Sequence, residues 1–298
     1  MRLAVTGRNG QIVQSLMERV QGTYDTLLTV ARPEIDLLHP DGIASVLDAL
    51  RPDVVVNAAA YTAVDAAEDD REAAFTINAA GAAAVAAATA RLGIPVIQLS
   101  TDYVFDGRLE RAYREDDQTA PLGVYGSSKL AGEQVVAAAN PRHVVLRMAW
   151  VYSPFGKNFV RTMLNLARQR DEISVVDDQH GTPGNALDLA DGILAVARNL
   201  HARPHDQALY GVFHLAAAGH TTWAQFAEAI FAVARQVDGP AANVRRITTA
   251  EYPTPARRPA NSRLDGAKLA KVHGVELPHW QRSLPACVER LVIQEFSA

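Results

Sequence analysis

The chain has 298 residues and a mass of 32.1 kDa, enough for one large α/β domain or two lobes sharing an interface. Its net charge of −4 at pH 7 and pI of about 6.1 exclude a broad nucleic-acid-binding field, and 48% hydrophobic with 21% charged residues is the balance of a soluble globule. The single cysteine, Cys287, excludes an internal disulfide and reads as buried apolar filler in a reducing cytosol.

A first strand is predicted over 3–6, with no signal peptide ahead of it. Further strands are expected over 26–30, 54–57, 96–100, 144–150 and 173–176. The segments between have helical composition, notably the alanine-rich run 72–92 closed by Gly93-Ile94-Pro95. Its apolar centre, 79–90, reads as too short and too weakly hydrophobic to span a bilayer. Apolar β-branched runs separated by helices predict an α/β fold, a doubly wound parallel sheet covered on both faces. After about residue 150 the pattern changes. Helices are expected over 156–170, 187–200 and 223–236, with a loop at 179–184 and a Pro- and Arg-rich loop at 252–259. These segments predict a smaller C-terminal substrate lobe interwoven with the sheet. The expected division is 1–150 for dinucleotide binding, segments near 171–215 completing the sheet, and 151–298 mostly for substrate. The nine histidines show no paired spacing of a zinc site, and no metal is expected.

Gly7, Asn9, Gly10, Gln11 and Ile12 follow the first strand and open a helix. Glycines let the backbone approach a pyrophosphate, and the helix N-terminus offers its free N–H groups to that anion. The motif's usual third glycine is replaced by Val13, which predicts a helix slightly farther from the strand. At the end of the second strand an acid would bind the adenosine ribose; Ala31-Arg32 stands there instead. A guanidinium without an acid predicts NADPH over NADH, with NADH as the alternative. Asp36 and Leu37 are placed near the adenine, and the small residues Ala58, Ala59 and Ala60 leave room for a cofactor across the third strand.

Tyr125 and Lys129 lie four residues apart, on one face of a predicted helix. Eight tyrosines and four lysines in the whole chain make such a pair unexpected by chance. A free tyrosine holds its proton up to about pH 10. A neighbouring ammonium is expected to lower that value, and about three units would need roughly 4 kcal/mol. Thr101, ending the fourth strand, can donate to a substrate carbonyl; its competing role is to cap the following turn. Thr101, Tyr125 and Lys129 are therefore the predicted catalytic set of a nicotinamide-dependent reductase.

These residues resemble the extended short-chain dehydrogenase/reductases, with their Rossmann-type sheet. Longer runs resemble the dTDP-4-dehydrorhamnose reductase family: Asn57 to Asp65, Ser100 to Gly107, Val124 to Glu133, Gly156 to Val160, Asp178 to Pro183 and Pro253 to Ser262. The resemblance covers essentially the whole chain. It implies reduction of the C4 ketone of dTDP-4-dehydro-L-rhamnose in the cytoplasm, a nucleotide-sugar partner, and a product used in glycans such as lipopolysaccharide. It places Thr101, Asp102, Tyr103 and Trp150 at the sugar and Tyr125 as proton donor. Gly10, Gln11, Ile12, Asp36, Leu37, Ala60, Tyr61, Thr62, Ser100, Tyr125 and Lys129 fall on cofactor positions. Arg257 and Arg258 suit the diphosphate, with a surface salt bridge as the rival role. Gly184 departs from the family's threonine. Ser15 stands where some members carry a magnesium-bridging acid, so a homodimer is left open and its metal is not expected. Two other functions stay open: reduction of another nucleotide 4-keto-6-deoxy sugar, and a non-catalytic regulatory subunit.

Overall fold

The computed structural model describes residues 1–295. The chain begins β1 (Arg2–Thr6), α1 (Gln11–Arg19), β2 (Thr26–Val30), α2 (Ile43–Leu50) and β3 (Val54–Asn57). One helical rod follows, made of α3 (Arg71–Phe75), a π-helical segment Thr76–Gly81 and α4 (Ala82–Leu92). Next come β4 (Val96–Thr101), α5 (Val124–Ala139), β5 (His143–Met148), β6 (Val151–Tyr152), α6 (Phe159–Ala167), β7 (Glu172–Val176), β8 (His180–Gly181) and β9 (Gly184–Asn185). The chain closes with α7 (Ala186–Ala202), β10 (Gly211–His214), β11 (Thr221–Thr222), α8 (Trp223–Gln236), β12 (Asn243–Ile247), α9 (Ala267–His273) and α10 (Trp280–Glu295).

Six parallel strands form the main sheet in the order β2-β1-β3-β4-β5-β10. Strands such as Val54-Val55-Val56 are buried on both faces, which is why they read as continuous apolar runs. Leu16 of α1 and Leu189, Ile193 and Val196 of α7 cover one face. Leu47 of α2, Val85 of α4 and Val136 of α5 cover the other. The strand order reverses between β1 and β3, opening a crevice at their carboxyl ends, the usual ligand position in such sheets.

The second lobe has its own core of α6, α8, α10 and β7, centred on Leu164, Phe226, Ile230, Phe231 and Leu291. Cys287 is buried there, and burial pushes its thiol up to about 12. The chain crosses between the lobes repeatedly: α7 packs on α1, β10 edges the main sheet, and α8 returns to the second lobe.

The structure corrects several expectations. The strand 173–176 lies outside the main sheet and pairs in parallel with β12; an apolar run shows that a strand exists but not which strand it joins. The strand 144–150 stops at Met148 because Trp150 turns the backbone at φ 45°. The helix 156–170 shrinks to Phe159–Ala167, started by the Asn158 side chain, which accepts from the Arg161 N–H at 3.2 Å. The rod Arg71–Leu92 is 22 residues long and contains an 18-residue window of mean hydropathy 1.4, long and apolar enough to cross a membrane by those measures. It is nevertheless built into the protein. Gly81 sits against Leu37, and buried Asn78 bonds the Tyr61 backbone and Ser128.

Candidate active site

The cofactor end is built on a buried polar ladder. Thr6 Oγ1 donates to Asn57 Oδ1 at 2.6 Å, and Asn57 Nδ2 donates to Gln98 Oε1 at 2.7 Å. Thr6 Oγ1 also accepts from the Ala58 and Ala59 N–H groups at 3.0 Å. The ends of β1, β3 and β4 are thereby locked together beneath the crevice. Gly7 takes φ 100°, a conformation that a side chain would strain. α1 opens at Gly10 without a side-chain cap, leaving N–H groups available to an anion. Val13, the substitute for the third glycine, is buried, and its Cγ2 packs against Gly7.

A cavity of about 410 Å³ extends from this turn and is lined by Gly7, Asn9, Arg32, Asp36, Leu37, Ala59 and Ala60. Arg32 is exposed and makes no salt bridge among the described residues. Arg8 lines the same cavity and reaches Glu34 at 3.5 Å. Sequence reasoning missed Arg8, since nothing in the local pattern separates it from a solvated arginine. The Asp36 carboxylate accepts from Leu38 N–H at 3.0 Å, so it also shapes its own turn. Tyr61 faces elsewhere, packing near Ala67 and Val124 while Asn78 holds its backbone.

Gly10, Gln11, Ile12, Ala58, Thr62, Ser100, Thr101, Asp102, Tyr103, Tyr125, Lys129 and Trp150 line a second cavity of about 530 Å³. Asn9 and Ala60 belong to the walls of both cavities. Tyr125 and Lys129 project from the first turns of α5. A Cβ on Gly126 would fall 2.2 Å from the Tyr103 carbonyl oxygen, so only glycine lets α5 sit this close to the turn after β4. Thr101 Oγ1 donates to Asp102 Oδ1 at 2.9 Å and accepts from Tyr103 N–H at 3.2 Å. Its capping role and its place in the cavity therefore coexist. Ser100 lines the cavity while its hydroxyl donates to the buried Glu133 carboxylate.

Electrostatics here differ from the sequence expectation. The Tyr125 phenol is not lowered; burial pushes it up to about 12, opposed by the hydrogen bond with Thr101 and reinforced by the Asp102 carboxylate. Lys129 is 4% exposed, and its Nζ donates to the Leu99 carbonyl at 2.7 Å. Burial lowers it to about 8, and the Glu133 carboxylate opposes that fall. Asp102 is raised to about 6 by burial, against hydrogen bonds from Ser262 and Thr101.

Trp150 stacks on Trp223 with ring centroids 3.5 Å apart and planes within 8°. Beyond Tyr103 the cleft continues into a cavity of about 600 Å³ lined by Asp65, Phe159, Arg170, Gln179, Trp223 and Arg258, among others. Arg258 Nη2 donates to Asp65 Oδ2 at 2.7 Å, while its buried Nη1 has no partner among the described residues. The salt bridge and the cavity position thus belong to the same side chain. Arg257 is exposed and outside this wall. Sequence reasoning assigned no role to Lys157, Arg170, Gln179 or Trp223. Lys157 and Gln179 sit inside the motifs quoted above, whereas Arg170 and Trp223 carry no local signal. Gly184 is cramped: a Cβ there would lie 3.0 Å from the Ala149 carbonyl oxygen and 3.1 Å from Leu189 Cδ1. A larger residue there would need these neighbours to give by a few tenths of an ångström.

The family described as RmlD substrate binding domain matches residues 1–293. The dTDP-4-dehydrorhamnose reductase of Sinorhizobium fredii is 47% identical over 294 residues, covering 99% of each chain. That of Burkholderia thailandensis is 44% identical over 299 residues, covering 99% of this chain and 100% of the relative. The crystal structure of Bacillus anthracis dTDP-4-dehydrorhamnose reductase in complex with NADP matches with a TM-score of 0.88 at 34% identity. That match covers 96% of this chain and 98% of the other. Similarity at this level, running through both the sheet and the second lobe, means that the chain belongs to the dTDP-4-dehydrorhamnose reductase family.

Proposed function

We infer that the chain reduces the C4 ketone of dTDP-4-dehydro-L-rhamnose with NADPH, giving dTDP-L-rhamnose. One observation carries this reading: three cavities adjoin through shared wall residues, with Thr101, Tyr125 and Lys129 in the middle one. The glycine turn, the uncapped α1 terminus and Arg32 fit a pyrophosphate and a 2′-phosphate. NADH fits the same turn, with Arg32 setting the preference. When bound, the nicotinamide supplies the hydride.

The remaining work falls to the chain's own residues. Residues 1–150 with β10 hold the cofactor, and most of 151–298 holds the nucleotide sugar. Arg258, with one free nitrogen, faces the diphosphate, and the Trp150–Trp223 stack walls the sugar. Thr101 donates to the carbonyl oxygen, and Tyr125 gives that oxygen its proton as negative charge develops. A phenol held at about 12 is fully protonated at neutral pH, and an alkoxide is a strong enough base to take its proton. Lys129 supplies positive charge beside that oxygen. A cytoplasmic location and a homodimeric assembly extend the reading.

The test is NADPH consumption by the purified chain over a panel of nucleotide 4-keto-6-deoxy sugars. dTDP-4-dehydro-L-rhamnose should give the highest kcat/KM. A faster rate on another member would reassign the substrate, and tight NADPH binding without turnover on any would favour a regulatory role.

A further inference from the structure

We propose that Glu133 is a positioning residue of this active site: clamped by Arg147 and Ser100, it keeps Lys129 charged and fixes the catalytic end of β4. This role presupposes the assignment of Thr101, Tyr125 and Lys129 made above. Glu133 stands one helical turn beyond Lys129, as Lys129 stands one turn beyond Tyr125, so the three share a face of α5. Ser100 and Arg147 are cross-strand partners in the β4–β5 ladder, and both reach the same carboxylate. Ser100 Oγ donates to Glu133 Oε1 at 2.5 Å. Arg147 donates through Nε to Oε1 at 2.9 Å and through Nη2 to Oε2 at 2.7 Å. The Arg147 guanidinium also lies 5.0 Å from the Phe105 ring centre. Ser100 sits between Leu99, whose carbonyl holds the Lys129 ammonium, and Thr101. One carboxylate therefore grips β4 at the residue joining two parts of the site.

The Arg147 and Glu133 side chains are only 4% and 5% exposed. Such a pair is a weak source of stability, because well-packed apolar residues of the same volume often do as well. An electrostatic role beside Lys129 accounts for its presence better. Burial disfavours the charged lysine, and Glu133 acts against that. The other charged or titratable groups around Lys129 are few. Tyr125 is on its own helix, Asp102 and Tyr103 follow β4, Lys157 lines the same cavity, and Arg147 on β5 is paired with Glu133. Glu68 caps the start of α5, and the facing segment 76–81 brings only uncharged Asn78.

Lysine occurs only at 129, 157, 268 and 271, so isotope-labelled lysine side chains can be titrated by NMR in the cofactor-free protein, with Lys129→Met assigning the signal. Glu133→Gln is the direct variant. It strands a buried guanidinium and risks unfolding, so Glu133→Gln/Arg147→Met is measured beside it. In Glu133→Gln the protonation equilibrium of Lys129 should shift by about tenfold towards the neutral amine, and in the double variant, which also removes the opposing Arg147 charge, it should shift the same way by less. The alkaline limb of kcat/KM should move to lower pH with it. Unchanged titration of Lys129 in a folded variant would overturn the proposal. A lowered titration with an unmoved rate profile would uphold Glu133's hold on Lys129 and remove Lys129 from the catalytic set instead.

Discussion

In the proposed reaction Tyr125 is a fully loaded acid, because burial and Asp102 keep its proton on well above neutral pH. Removing that proton source while keeping the ring should leave the fold and the cofactor site intact. Tyr125→Phe is expected to lower kcat by about a hundred- to ten-thousand-fold, the usual worth of a general acid. The NADPH Kd, read by fluorescence titration, should stay near the parent value. Near-parent turnover would assign the proton to another group. The Tyr–Lys pair was legible in the sequence because it needs only one helical turn. The direction of the phenol's shift was not. It depends on burial and on Asp102, which neighbours Tyr125 only in the folded chain, while the Lys129 ammonium is held by a carbonyl of β4. Thr6, Gln98 and Glu133 were equally hidden, since each becomes informative only when strands and helix are assembled.

At the scale of elements, the site depends on how closely α5 docks and on what the β2 end presents. Gly126→Ala places a methyl group 2.2 Å from the Tyr103 carbonyl oxygen, so α5 or the turn must give way. Overpacking of this kind costs about 1–3 kcal/mol; a lowered Tm together with lower kcat is expected, and an unchanged Tm would show that α5 has slack. Arg32, exposed at the end of β2 and lining the crevice, should discriminate between cofactors. Arg32→Ala is expected to weaken NADPH about ten- to a hundredfold while changing NADH little, since a charge-assisted bond to phosphate is worth roughly 1.5–3 kcal/mol. Equal weakening of both, measured by calorimetry, would remove the 2′-phosphate from its role and turn attention to Arg8. Strands β1 to β4 were legible as short apolar runs, of which β3 and β4 are buried on both faces along their whole length. The place of 173–176 was not, because its partner β12 begins at Asn243, far along the chain. Nor was the turn at Trp150, a positive-φ tryptophan inside a run that looks like strand.

At the scale of the molecule, the cleft lies between a sheet that presents the glycine turn and the proposed catalytic set and a second lobe that supplies Trp223, Phe159 and Arg258. The interwoven chain path ties the halves together: Ser153 Oγ donates to Gln11 Oε1 at 2.7 Å, joining the loop after β6 to the first turn of α1. Chemistry and substrate are thus read from different parts of the chain. The proposed chemistry rests on three residues that local spacing singles out, whereas the substrate was suggested only through resemblance over the full length, because pocket shape is distributed over many side chains. The measurement that tests the central claim most directly is NMR of the product formed from dTDP-4-dehydro-L-rhamnose and NADPH carrying deuterium at the transferred position. Deuterium bonded to C4 of dTDP-L-rhamnose is the predicted result. A product with no deuterium at C4, or one with the opposite configuration there, would contradict the reduction assigned to this cleft.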